Sequence, residues 1–196
     1  MDGLNKFSIF KDEELMVYII KGEELAFDEI YRRYSKRLFG YFIRMLNFDK
    51  NLAEDALQDI FLKIAESPEK FDSSRSFKTW IFSVASNSCK NYYRHQKVVS
   101  ESVSEIRYFT IEVNENSFIK MASKIDGVQF KKTLEEVLNQ LSAEKKEAFI
   151  LKYQEEKTNA EIAYIQGCPE GSVKSRLHYT LKTLEEKLKI FDPKNY

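Results

Sequence analysis

The chain has 196 residues, and its formal net charge is zero because 31 lysines and arginines balance 31 acids. Six glycines and three prolines, with 32% charged residues, indicate long helices and few turns. Cys89 and Cys168 lie far apart without a CxxC partner, which argues against a zinc site and a disulfide framework and fits a reducing cytoplasm.

The amino-terminal part of the chain predicts helices and no targeting segment. Residues 1–14 contain acids and no long apolar core, so they are not a signal peptide. No apolar run in the chain approaches the ~20 residues of a membrane span. Apolar residues then recur at three- and four-residue steps, which predicts helices. They are Leu15, Tyr18, Ile19, Phe27, Ile30, Tyr31, Tyr34, Leu38, Tyr41, Phe42 and Met45.

An amphipathic helix is predicted for residues 53–65 and is broken at Ser67-Pro68. Its apolar side comprises Ala56, Leu57, Ile60, Phe61 and Ile64, and its polar side comprises Asp55, Gln58, Asp59 and Lys63. By itself this pattern is that of an ordinary surface helix. A loop follows from Phe71 to Ser76.

The next predicted helix, residues 77–97, lies in a stretch with unusual charge. Residues 73–100 contain five lysines and arginines and no acid. One helix face combines Ser83, Asn87, Lys90, Asn91 and Arg94. Amide and cationic side chains together can grip a nucleic-acid strand, and they can equally be a solvated surface. Trp80, Tyr92 and Tyr93 can stack on unpaired bases or belong to the core.

A mildly acidic connector is predicted for residues 98–127, because the periodicity stops and acids outnumber cations. Its acids are Glu101, Glu105, Glu112 and Glu115. The helical pattern returns at Val128, and Ser142 is a candidate cap for a further helix.

The segment from residue 158 to 184 predicts two helices joined by a tight turn. Thr158 and Glu161 have the spacing of a capping box, Gly167 suits a left-handed helix end, and Pro169 suits a helix start. The second helix is expected to bury Val173, Leu177, Leu181, Leu184 and Leu188. Its opposite face is polar, and residues 172–183 contain three cations and no acid. This pattern is typical of a helix-turn-helix that reads the major groove, although a helical hairpin in any all-α protein can look similar.

Five segments in this order and spacing resemble the extracytoplasmic-function (group IV) sigma factors of bacterial RNA polymerase. They are DEELMVYIIKGEELAFDEIYRRY, AEDALQDIFLKI, FKTWIFSVASNSCKNYYRHQK, LSAEKKEAFILKYQEEKTNAEIA and CPEGSVKSRL. The resemblance implies an all-α fold of two small helical domains joined by a flexible linker. The domains would be residues 1–97, which recognise and melt the minus-10 promoter element, and residues 128–196, which read the minus-35 element. Residues 98–127 would be the linker.

The resemblance also implies roles for individual residues. Docking on the clamp helices of the largest polymerase subunit would involve Asp55, Gln58, Asp59 and Phe61. Contacts to the melted minus-10 strand would involve Phe71, Arg75, Ser76, Lys78, Asn87, Lys90, Asn91 and Arg94. Contacts to the minus-35 element would involve Ser172, Lys174, Ser175, Arg176, His178, Tyr179 and Lys182. Sigma factors of this class are typically held by an anti-sigma factor, which is often membrane-anchored.

These features together predict a cytoplasmic transcription initiation factor whose partners are core RNA polymerase, promoter DNA and an anti-sigma factor. We expect no enzymatic activity, because no HExxH, P-loop, GxSxG or paired Cys/His motif is present. No metal, cofactor or small-molecule substrate is expected. Two alternatives stay open: a stand-alone two-domain helix-turn-helix regulator, and a sigma-like protein-interaction module without promoter activity.

Overall fold

The protein's structure, a computed structural model, describes residues 6–102 and 127–191, with side chains described for 6–96 and 129–191. Within those ranges every regular element is helical, as predicted. The α-helices are α1 (Asp12–Ile20), α2 (Glu24–Met45), α3 (Lys50–Glu66), α4 (Phe77–Ser102), α5 (Gly127–Gln140), α6 (Ala143–Tyr153), α7 (Asn159–Gln166) and α8 (Glu170–Leu188). Short 3-10 turns occur at Lys6–Ile9, Pro68–Lys70 and Lys189–Phe191.

The first four helices form one unit around the long helix α2, against which α1, α3 and α4 pack. The predicted apolar stripe of α2 is largely buried, with Ile30, Tyr34, Leu38, Tyr41 and Phe42 in the core. Helix α3 begins where the Asp49 carboxylate accepts a hydrogen bond from the Leu52 amide at 3.0 Å. It ends at Glu66, just before the predicted Ser67-Pro68 break.

The boundaries of the predicted connector differ from the observed helix ends. Helix α4 continues to Ser102 rather than stopping at residue 97, and α5 begins at Gly127. Residues 103–126, which include the predicted acids Glu105, Glu112 and Glu115, lie outside the described residues.

Helices α5–α8 form the second unit, which contains the predicted helix-turn-helix in α7 and α8. The capping box is present, because the Thr158 hydroxyl accepts from the Glu161 amide and the Glu161 carboxylate accepts from the Thr158 amide. Gly167 ends α7 with φ +65°, in the left-handed region where a residue without Cβ is least strained. Pro169 occupies the N-cap position of α8, which starts at Glu170.

One residue of the predicted stripe on α8 is placed incorrectly by the sequence pattern. Leu181 is 43% exposed, whereas Thr180 is fully buried. Val173, Leu177 and Leu184 are buried as expected. Residues 173, 177, 180 and 184 follow the helical period and lie on one side of α8. Thr180 therefore occupies the core position, and Leu181 lies on the surface.

The two units pack directly on each other, α6 against α2 and α7 against α4. The larger cluster of buried apolar side chains contains residues of both units. The two halves therefore do not have separate cores in this arrangement. Polar contacts reinforce the packing: Arg37 pairs with Glu155 at 2.6 Å, and the Tyr41 hydroxyl donates to the Glu147 carboxylate at 2.6 Å.

Candidate nucleic-acid interface

The polar side of α3 is exposed at three of the four positions predicted to dock on polymerase. Asp55, Gln58 and Asp59 lie on the surface, and we call them the α3 acidic face. The fourth position, Phe61, differs from the predicted docking role, because its side chain is only 5% exposed. Its ring centre lies 4.6 Å from that of Tyr31. Residue 61 follows the apolar spacing of the helix, so the aromatic ring anchors α3 to α2 rather than facing outward.

A groove separates α3 from α4, and it contains residues assigned to both polymerase docking and DNA contact. Its volume is about 560 Å³. Asp59 and Lys63 line the α3 side, while Asn87, Asn91 and His95 are among the residues that line the α4 side. The acidic face and the candidate strand-binding face therefore border each other along the groove.

The α4 polar face, defined as Asn87, Lys90, Asn91 and Arg94, is exposed at all positions except Lys90. Arg94 and Asn91 approach to 3.5 Å between Nη1 and Oδ1. The half-buried Lys90 donates from Nζ to the main-chain carbonyl of Gln166 at 3.1 Å. Lys90, which is a candidate contact to the melted strand, is thus hydrogen-bonded to the end of α7.

The loop between α3 and α4 is organised by Asp72. Its Oδ1 accepts from the Ser74 amide at 3.0 Å and the Ser74 hydroxyl at 2.7 Å, and these bonds lower the pKa of the carboxyl group. Arg75 pairs with Asp72 at 3.2 Å and donates to the Tyr164 hydroxyl of α7 at 3.1 Å. This second contact connects the loop to the helix-turn-helix.

Phe71 is placed differently from the prediction that it contacts a melted strand. It is 4% exposed and its ring lies 5.3 Å from Phe77 and 5.2 Å from Trp80. The ring belongs to an aromatic cluster below the loop. Ser76 is exposed and Lys78 half-buried, so these two predicted contacts are accessible beside the cluster.

The outer side of α8 is exposed where the pattern predicts a recognition helix. Lys174, Ser175, His178, Tyr179 and Lys182 are exposed, and we call them the recognition face. Lys174 pairs with Glu170 at 3.4 Å, and the Lys145 ammonium lies 5.8 Å from the centre of the Tyr179 ring. Ser172 is half-buried.

Arg176 is also half-buried, and its guanidinium group is held within the helix-turn-helix. Nη1 donates to Gln166 Oε1 at 2.6 Å and lies 3.1 Å from Cys168 Sγ. Arg176 is therefore a restrained side chain, in contrast to the exposed lysines of the recognition face.

Sequence reasoning missed the buried polar groups that join the two units. Lys146, Glu147, Glu155 and Lys157 are each no more than 3% exposed. Burial lowers the pKa of Lys146 to about 8, and burial likewise lowers that of Lys157. In the sequence these residues are charged positions on or beside a helix, where a solvated face is the ordinary expectation. Each of the four makes a polar contact with the first unit.

Neither a membrane-spanning helix nor a metal-binding cluster is found in the part of the chain that the structure describes. None of the described helices has the length and apolar character to cross a membrane. No group of three or more histidine, cysteine, aspartate or glutamate side chains in the described ranges is arranged to hold a metal ion.

Comparison with known proteins identifies relatives along both units. Residues 30–98 match the family model described as Sigma-70 region 2, and residues 131–184 match the model described as Sigma-70, region 4. The chain is 30% identical over 154 residues to the ECF RNA polymerase sigma factor SigM of Bacillus subtilis, covering 78% of this chain and 89% of the relative. It is 26% identical over 188 residues to the ECF RNA polymerase sigma-E factor of Haemophilus influenzae, covering 90% and 95%.

A solved structure shares the fold. The sigma factor RpoE from Bartonella quintana, crystallised in complex with the anti-sigma factor NepR, aligns with a TM-score of 0.66 at 22% identity. The alignment covers 84% of this chain and 97% of that protein.

Proposed function

The chain belongs to the extracytoplasmic-function RNA polymerase sigma factors. On that premise we propose which of its surfaces binds polymerase and which bind promoter DNA during transcription initiation. The observation that carries the proposal is the presence of two faces with cationic and polar side chains, one on each unit. The α4 polar face and the recognition face both combine cations with amide or hydroxyl groups. Such groups bind phosphates and base edges.

The α4 polar face is proposed to hold the melted minus-10 strand. Asn87 and Asn91 offer both donors and acceptors to base edges, and Arg94 supplies charge for phosphates. The loop from Asp72 to Ser76 would border the same strand. A base that leaves the stack loses a few kcal/mol of stacking and pairing, and contacts of this kind would offset that loss.

The recognition face is proposed to enter the major groove of the minus-35 element. Lys174 and Lys182 would bind phosphates as point charges, and Arg176 would read a base edge because its planar group can bind the O6 and N7 atoms of guanine together. Ser175, His178 and Tyr179 complete this surface.

The α3 acidic face is proposed to dock on the clamp helices of the largest polymerase subunit. Asp55 and Asp59 lie on the solvated side of their helix, while Ala53 and Ile60 fix the helix from its buried side. Core RNA polymerase supplies the catalysis, so the chain itself needs no enzymatic group, and we place its action in the cytoplasm, where the promoter DNA is.

The packed arrangement is proposed to be a resting state. Helix α7 contacts Arg75 through Tyr164 and Lys90 through Gln166, so two candidate minus-10 contacts are engaged by the minus-35 unit. Promoter binding at both elements would require the units to separate. An anti-sigma factor is the partner expected to hold the protein away from polymerase until then.

Transcription in a purified system tests this function. Core polymerase, genomic DNA and the full chain are combined, and start sites are mapped with and without the chain. We expect start sites that appear only when the chain is present, downstream of a shared pair of elements. The isolated chain should bind these promoters weakly at physiological salt because its net charge is zero. Tight, sequence-specific binding without core polymerase, and no new start sites with it, would indicate the stand-alone regulator instead.

A further inference from the structure

Gln166 occupies a junction at the end of α7 and is 8% exposed. Its side-chain Nε2 donates to the Glu144 carbonyl at 2.9 Å and to the Glu147 carboxylate at 2.9 Å. A carbonyl and a carboxylate only accept hydrogen bonds, so the nitrogen of the amide must face them. The amide oxygen is consequently turned toward α8.

The amide oxygen of Gln166 accepts a hydrogen bond from Arg176. Nη1 of Arg176 donates to Gln166 Oε1 at 2.6 Å, a distance typical of a charge-assisted hydrogen bond. The same nitrogen lies 3.1 Å from Cys168 Sγ. These contacts use one nitrogen of the guanidinium group, and Nη2 and Nε make no hydrogen bond to the described residues. An arginine anchored at one corner presents its remaining donors in a restricted orientation.

The groups that fix Arg176 all belong to the second unit. Glu144 and Glu147 lie on α6, Gln166 ends α7, and Cys168 lies in the turn. The Glu147 carboxylate also accepts from Tyr41 of the first unit, whereas the bond from Gln166 to the Glu144 carbonyl involves no group of the first unit. That bond differs from the contact of Lys90 with the Gln166 carbonyl, which joins the two units.

We infer that Gln166 is a positioning residue for reading the upstream DNA element, because it fixes the guanidinium of Arg176 in the orientation that contacts a base edge. This inference rests on the proposed role of Arg176. Ordering a long side chain before binding removes part of the entropy cost of the contact, and it restricts the base edges that the guanidinium can meet. Gln166 thus contributes to sequence discrimination without touching DNA.

The test compares two promoters that differ only in the minus-35 base pairs. Run-off transcription with core polymerase and the full chain gives the ratio of transcripts from the intact and altered promoters. This ratio does not depend on the fraction of protein that is correctly folded. Q166M removes both polar atoms of the amide at similar length, and Q166A serves if the methionine variant is insoluble. The matched control is Q140M, because Gln140 is an exposed glutamine at the end of α5.

We expect Q166M to lower the promoter ratio about fivefold, which is the effect of losing one hydrogen bond of typical net strength. R176A should lower it at least as much, and the double variant should fall no further than R176A, because both residues act through one contact. Q140M should leave the ratio unchanged. A wild-type ratio for Q166M, with R176A still defective, overturns the positioning role alone. A wild-type ratio for R176A overturns the proposed upstream contact itself.

Discussion

The Nζ atom of Lys90 lies 3.1 Å from the carbonyl oxygen of Gln166, so a cation of the α4 polar face is joined to the helix that precedes the recognition helix. Arg75 makes a similar connection to Tyr164. Both contacts cross from the first unit to the second, and both use side chains that we assign to the melted strand. If these side chains bind the melted strand as proposed, the packed arrangement would compete with strand binding for the same cations.

The ion pair between Arg37 and Glu155 should control whether the units stay together. The side chain of Glu155 is 4% exposed, so reversing the charge of Arg37 would leave a buried carboxylate facing another acid. We expect R37E to increase the radius of gyration in small-angle scattering. The double variant R37E with E155R should restore the compact value. K36E, which changes the exposed neighbouring lysine, should have no effect. An unchanged radius for R37E would show that the pair does not maintain the packing.

Lys146 should make stability depend on pH in the alkaline range. Its Nζ donates to Asn47 at 2.8 Å and Asn139 at 3.1 Å, and burial lowers its pKa from 10.5 to about 8. Between those values the unfolded chain binds more protons than the folded one, so folding becomes more favourable as pH rises. The expected gain relative to K146M is at most about 3 kcal/mol.

Urea unfolding of the wild type and K146M at several pH values between 7 and 10.5 measures this gain. The variant controls for all other titrating groups, since only the difference between the two free energies of unfolding is compared. The difference should shift in favour of the wild type as pH rises. A difference that is constant across the range would mean that the Lys146 ammonium is not destabilised by its burial.

The α3 acidic face should be required for polymerase binding and dispensable for folding. We expect D55K with D59K to abolish co-purification with core polymerase, because two charges are reversed on the docking surface. Circular dichroism and thermal unfolding should stay close to wild type, since both residues are exposed. The matched control is E185K with E186K, which reverses two exposed acids on α8. Undiminished binding by the α3 variant would remove the docking assignment.

Local sequence signals predicted the helices and much of the candidate interface. The capping box at Thr158, the left-handed Gly167 and the polar outer side of α8 depend on neighbouring residues, and the structure confirms each of them. The helical spacing predicted that Phe61 lies on the apolar side of α3, and the structure confirms this; its docking role was implied only by the family resemblance. Local patterns could not predict that Phe71 faces inward, because an aromatic residue in a loop beside polar residues suits either environment.

Local sequence patterns do not predict contacts between the two units. Lys146 and Lys157 look like solvated lysines in sequence, but both are buried and donate to the first unit, Lys146 to Asn47 and Lys157 to Thr79. Gln166 was not singled out because its contacts join different helices of the second unit. Its role depends on Glu147 and Arg176, which lie 19 and 10 residues away on other helices.

The central claim, that the two faces read different promoter elements, is tested most directly by permanganate footprinting of one mapped promoter with core polymerase. The same complexes are assayed for protection of the minus-35 element. We predict that R94A and N87A lose reactivity of unpaired thymines at the minus-10 element while upstream protection is retained. R176A should instead lose upstream protection, weakening the interaction by about 1–3 kcal/mol. Equal losses of both signals in all three variants, whatever the promoter sequence, would contradict the account.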